Sequence, residues 1–162
     1  MLKLNLGCGN KLWKNFVNID LPGSGADLEC DIRQLPYEDA TVDEIHAIHV
    51  FEHFYLHEVP GILAEWYRVL VPEGQLVLEM PCFDKLIAYI QGNNPAFFDP
   101  RLVQWPLYGD PSTIKTEHDL HKWCWSIAEL KKALLTAKFK NPVFSMPQHH
   151  IAHRDMRVSV IK

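Results

Sequence analysis

Residues 4–20 read LNLGCGNKLWKNFVNID, and this stretch decides the fold. Leu2, Leu4 and Leu6 alternate with Lys3 and Asn5, the period-two pattern of a β-strand. Gly7, Cys8 and Gly9 follow at once. Glycines directly after a strand permit positive φ and let a ligand approach the main chain closely. A second apolar run, Phe16, Val17 and Ile19, closes on Asp20. In a parallel α/β sheet the glycine turn and the acid fall at the carboxyl ends of adjacent strands, where ligands bind. A carboxylate there can accept two hydrogen bonds from a ribose diol.

Outward from this stretch the connections are short. Residues 10–16 are too few for a full crossover helix. Residues 21–26 hold Pro22, Gly23 and Gly25, so a third strand near 27–30 follows a loop. Residues 32–41 include Pro36 and are again irregular. The pattern then predicts a fourth strand over 44–50 and a helix over 58–70. Pro60 sits in that helix's first turn, and Val59, Ile62, Leu63, Trp66 and Leu70 form the buried stripe. A turn at 71–74, a fifth strand over 75–81 with Glu79 at an exposed position, and a short helix over 83–90 follow. Ser126 and Glu129 make a capping box for a last helix with Ile127, Leu130, Leu134 and Ala137 facing inward. Strands over 139–146 and 157–161 are read as an antiparallel pair at one edge of the sheet.

With 162 residues the chain is long enough for a core that buries roughly 70% of its unfolded surface, and it is read as one domain, 1–162. A hydrophobic content of 48% and a charged content of 22% are those of a globular protein. No apolar run approaches the ~20 residues that cross a bilayer, and no signal-peptide pattern precedes the first strand. Cys8, Cys30, Cys82 and Cys124 show no CxxC spacing and are read as reduced thiols of a cytoplasmic protein. A formal net charge of −4 argues against a nucleic-acid partner.

Taken together, Leu4-Asn5-Leu6-Gly7-Cys8-Gly9 and Asp20 resemble the first two motifs of class I S-adenosylmethionine-dependent methyltransferases. Asp31-Ile32 with Leu35-Pro36-Tyr37 resembles the adenine-side segment of that family, and residues 43–54 and 68–76 resemble its fourth strand and the helix, turn and fifth strand beyond. These pieces stand in family order over about the first half of the chain. The resemblance implies a Rossmann-like α/β three-layer sandwich with a mostly parallel seven-stranded sheet in the order 3-2-1-4-5-7-6. The seventh strand would be antiparallel, and the helices of the N-terminal half shortened. It implies S-adenosylmethionine as cofactor, held by Leu6, Gly7, Cys8, Gly9, Asp20, Leu21, Asp31, Ile32 and His49. The segment that closes over the cofactor in many members is missing here, so a later loop or a partner chain, as in a homodimer, is expected to cover the site.

The histidines are the candidate catalysts. His49 and His53 lie just past the fourth strand with Glu52 between them, and His118 and His121 lie in a long aromatic-rich segment, 93–125. A long irregular insertion is usually a lid or binding loop. An imidazole near its ordinary pKa is a suitable base at neutral pH. No metal is assigned. The spacing of His46, His49, His53 and His57 suits a helix rather than the strand read there, and HxxH at His118 and His121 has no CxxC to complete it. His149, His150 and His153 are read as a surface cluster. The acceptor implied is a small molecule bearing a hydroxyl or amine, such as a sugar. A nucleic-acid methyltransferase is the weaker alternative, since residues 80–83, Met-Pro-Cys-Phe, lack the Asn/Asp-Pro-Pro-aromatic motif. A non-catalytic cofactor binder or scaffold is the other.

Overall fold

Alternation along the strands sorts the sheet into two unlike faces. In the computed structural model, which describes residues 1–92 and 98–162, the strands are β1 (Lys3–Leu6), β2 (Val17–Asp20), β3 (Leu28–Glu29), β4 (Val42–Ile48), β5 (Leu70–Pro81), β6 (Lys140–Ser145) and β7 (Asp155–Ile161). They form one seven-stranded sheet in the order β3-β2-β1-β4-β5-β7-β6, as expected. β7 runs antiparallel to both β5 and the edge strand β6. Register places Ile19, Leu6, Ala47, Leu78, Val158 and Phe144 in one row across the sheet, and Val17, Leu4, Ile45, Leu76 and Val160 in another. These rows are the apolar face, and most of their residues are fully buried.

The helices α1 (Val59–Val69) and α4 (Ile127–Thr136) cover that face. α1 buries Val59, Ile62, Leu63, Trp66 and Val69, spaced three and four apart, and begins with proline in its first turn. α4 starts at a capping box in which the Ser126 side chain accepts from the Glu129 N–H. It buries Leu130 and Leu134, whereas Ile127 is exposed at its first turn, contrary to the stripe read from sequence.

On the opposite face the row through the middle of the strands is Asn18, Asn5, His46, Val77 and Ser159. Glu79 and Arg157 stand opposite one another further along. No helix joins β1 to β2, β2 to β3 or β3 to β4 among the described residues. Loop residues cover this side: Trp13 and Phe16 pack edge-on against His46, and His149 stacks on Trp13 at 4.8 Å. The polar side chains are consequently buried and must pair with one another. Asn5 Nδ2 donates to Asn18 Oδ1 at 2.9 Å, and Asn18 Nδ2 donates to Asp27 at 2.7 Å.

Glu79, expected at an exposed strand position, is fully buried. β5 lies between β4 and β7, and the loop before β7 closes over it. The Glu79 carboxylate accepts from the Gln148 and His149 N–H groups, both at 2.9 Å, and from Arg157 at 3.1 Å. The turn expected at 71–74 lies inside β5. The register against β4 slips between Val42 and Glu44, and Glu73 takes φ 65°, so these residues bulge from the strand.

The segment after β5 is more regular than its sequence suggests. α2 (Phe83–Gly92) is followed by α3 (Arg101–Tyr108), which tolerates Pro106 within it, and by a 3-10 turn at Glu117–Asp119 capped by Thr116. The start of the expected lid, with Phe97, lies outside the described residues.

Candidate functional site

β1 ends at Leu6 and the chain turns at once through two left-handed glycines, Gly7 at φ 61° and Gly9 at φ 51°. A Cβ on Gly7 would collide with Val50, so the position excludes any other residue on space as well as conformation. Asp20, at the end of β2, fixes this turn. Its Oδ2 accepts from Gly9 N–H at 2.6 Å and its Oδ1 from Leu21 N–H at 2.7 Å. Each oxygen keeps a second lone pair.

Beside this turn, at the carboxyl ends of β1, β2 and β4, lies a cavity of about 330 Å³. Gly7, Gly9, Asp20, Leu21, Asp31, Ile32 and His49 all line it, together with His53 and His118. Two of the expected cofactor residues do not. The Leu6 and Cys8 side chains are buried in the core, and Cys8 N–H bonds Ile19 O at 3.1 Å. Nor does His121 line the cavity, although HxxH spacing pairs it with His118. The chain passes from the 3-10 turn to an extended residue at Leu120, which sends the two rings to different places.

Sequence reasoning missed Arg33, Tyr55, Glu58, Glu117 and Lys122, which complete the cavity wall. Arg33 binds both Asp31 oxygens and also Glu58 at 2.9 Å. Its hydrogen bonds hold the Asp31 carboxyl below the ordinary range despite partial burial. Nothing in local spacing marks Arg33 or Glu58, which come together from 25 residues apart. The 3-10 turn at Glu117–Asp119 lines the cavity from the segment before α4. It is anchored by main-chain bonds from Lys122 N–H at 2.7 Å and Trp123 N–H at 3.1 Å to Glu52 O.

His49 follows β4 in the left-handed region, φ 55°, with its N–H on Glu79 O at 2.7 Å. Its ring lies between two buried carboxylates: Nδ1 is 2.9 Å from Glu52 Oε1 and Nε2 is 3.4 Å from Asp155 Oδ2. The contact with Glu52 is close but off the hydrogen-bond direction, so neither Glu52 oxygen has an aligned partner among the described residues. Burial disfavours charge on His49, but the two carboxylates outweigh it and raise its pKa to about 9. Asp155 has a second partner, Arg154, at 2.7 and 2.8 Å. His150 is exposed, as read from the sequence, and packs its ring over His49 at 3.9 Å.

The wall chemistry fits a nucleoside. Asp20 offers acceptors for vicinal hydroxyls, and Ile32 an apolar surface for a flat ring. At Gly9 the turn leaves open space that a ligand can approach. Residues 10–78 match the methyltransferase domain family. No characterised protein matches the sequence closely. Among solved structures, a S-adenosylmethionine-dependent methyltransferase from Archaeoglobus fulgidus matches 99% of this chain and 85% of its own at 14% identity and a TM-score of 0.67. One from Methanosarcina mazei matches 99% and 91% at 18% identity and 0.67. The complex of the Haloferax volcanii Trm112 methyltransferase activator with a methyltransferase contains a match over 99% and 81% at 15% identity and 0.64. These likenesses establish the fold, and with the family match they indicate S-adenosylmethionine as the cofactor.

Proposed function

We propose that this chain, which has the class I S-adenosylmethionine-dependent methyltransferase fold, moves a methyl group to a hydroxyl or amine of a small molecule, as a single domain whose segment 93–125 forms the acceptor side. The observation that carries the reading is the position of Asp20. It clamps the glycine turn through Gly9 N–H and faces the cavity with lone pairs to spare.

The cofactor supplies the reactive methyl, already attached to an excellent leaving group. The protein's part is to hold a nucleophile in line at about 3 Å and to take its proton. Asp20 would bind the ribose hydroxyls, Gly7 and Gly9 the methionyl side, and Ile32 the adenine ring, with Asp31 and Arg33 at its edge. His49, held charged between Glu52 and Asp155, is not a base at neutral pH. It serves as a fixed positive group at the cavity wall. His118 is the proton acceptor in this reading. It lines the cavity from the lid turn, and its ring makes no hydrogen bond among the described residues.

The test has two stages. Calorimetry with S-adenosylhomocysteine should show saturable binding, and limited trypsin digestion should cut near Lys115 and be slowed by that ligand. Turnover of a panel of sugars, phenols and amines should then fall about 10²–10⁴-fold in His118→Gln with cofactor affinity retained. Binding without turnover across the panel would favour the scaffold reading, to which the helix-free connections of the N-terminal half give some support.

A further inference from the structure

Glu52 is the most exceptional side chain outside the cofactor wall. It is fully buried, and neither carboxylate oxygen has an aligned hydrogen bond among the described residues. Its one close charged neighbour is the His49 ring, with Nδ1 2.9 Å from Oε1, and that ring is shared with Asp155, which leaves room for a further cation at the carboxylate. Asp155, which shares the His49 ring, also has Arg154 through two short contacts, and Glu52 has no such second cation among the described residues.

Two imidazoles face Glu52, and each is oriented by a main-chain carbonyl. His53 Nδ1 lies 3.1 Å from Leu120 O, and His121 Nδ1 lies 2.8 Å from Pro106 O. A carbonyl only accepts, so Nδ1 is the donor in both rings, and Nε2 is left with its lone pair. His121 Nε2 is 4.0 Å from Glu52 Oε1. One ring nitrogen from each histidine and one Glu52 oxygen lie within 4.8 Å of one another. At His121 a neutral ring turns its Nε2 lone pair toward the carboxylate, a repulsion that a cation between them relieves. A histidine whose other nitrogen donates to a backbone carbonyl is the usual arrangement of a metal ligand.

We propose that Glu52, His53 and His121 bind one divalent transition-metal ion. Two imidazoles and one carboxylate are a donor set for zinc, iron or manganese, and about 2.0–2.2 Å bonds would draw the three atoms inward from their present spacing. The ligands come from the turn after β4 and from the segment before α4. Those segments are already tied by the Lys122 and Trp123 N–H groups on Glu52 O, so the site is built before the ion arrives. Of the three, His53 is also on the cavity wall.

Metal-free protein, stripped with a chelator, is titrated with Co²⁺ and followed by calorimetry and visible absorption. One equivalent should bind with appearance of d–d bands. His121→Ala and His53→Ala should each weaken binding by more than the roughly 10–100-fold that loss of an outer-shell partner costs. His150→Ala, in the neighbouring His49–Asp155 group, should bind as the parent does. Glu52→Gln tests the carboxylate, and if that buried change unfolds the chain, the two histidine variants still decide. Retained binding of S-adenosylhomocysteine in His121→Ala, whose side chain lies off the cavity wall, shows that the fold and cofactor pocket are intact, which keeps this result separate from the methyl-transfer reading. Absence of Co²⁺ uptake, uptake unchanged in His121→Ala, or uptake lost in His150→Ala would each overturn the assignment.

Discussion

The two faces of the sheet are built on different principles. One is an uninterrupted apolar surface under α1 and α4, held by burial and packing. The other carries Asn5, Asn18, His46, Glu79 and Arg157, all buried, beneath loops rather than helices. Parallel sheets are usually covered on both faces, and their strands then read as continuous apolar runs. This chain dispenses with the helices of the N-terminal half on the polar face and fills the gap with hydrogen-bonded side chains. The cavity at the strand ends forms without that layer, because it is built only of strand ends, the glycine turn and loops. The lesson is that the site and the second helical layer are separable in this fold.

The largest effect should come from breaking the apolar face. Trp66→Ala removes a fully buried ring and its Nε1–H bond to Ile32 O, and should cost about 3–5 kcal/mol in urea unfolding. Less than half of that would mean that the helical layer is not the main source of stability.

On the polar face, Glu79→Gln should cost about 1.5–3 kcal/mol at neutral pH by removing a charge held by Arg157 and two N–H groups. Burial opposes ionisation of Glu79, but those partners win and lower its pKa below the ordinary 4.5. Its contribution is therefore fully present above that value and is lost as pH falls below it. Unfolding measured from pH 7 down to acid should show a steeper loss in the parent than in Glu79→Gln. Parallel curves would remove Glu79 from the account of acid stability.

A smaller effect is expected at Asn18, the hub that joins Asn5, Asp27 and the Trp13 N–H. Asn18→Ala should cost about 1–3 kcal/mol, because buried partners lose their bonds. A neutral substitution would show that water enters beneath the Trp13 loop and replaces the side chain.

The polar face was half-legible in the sequence. Lys3 and Asn5 alternate with leucines in β1, and Asn18 and His46 interrupt β2 and β4 in the same phase. The short helix-poor connections were legible too. The burial of Glu79 was not, since it depends on β7 pairing from the far end of the chain and on the loop at 147–149. In the site, the glycine turn, Asp20, Asp31 and Ile32 were readable because consecutive strands deliver them to one edge. Glu52 and His121 were not readable as neighbours, because 68 intervening residues hide their contact. Local HxxH spacing instead joins His121 to His118, which the fold sends to the cavity.

The role proposed for Asp20 is to hold S-adenosylmethionine in the cavity at the carboxyl ends of β1, β2 and β4. Isothermal calorimetry with S-adenosylhomocysteine tests it on the parent, on Asp20→Ala, and on Glu38→Ala, an exposed acid whose side chain makes no hydrogen bond among the described residues. The parent and Glu38→Ala should bind alike, and Asp20→Ala should lose about 1.5–3 kcal/mol, roughly 10–150-fold in affinity. Equal affinities for Asp20→Ala and Glu38→Ala, or no saturable binding by the parent, would contradict it.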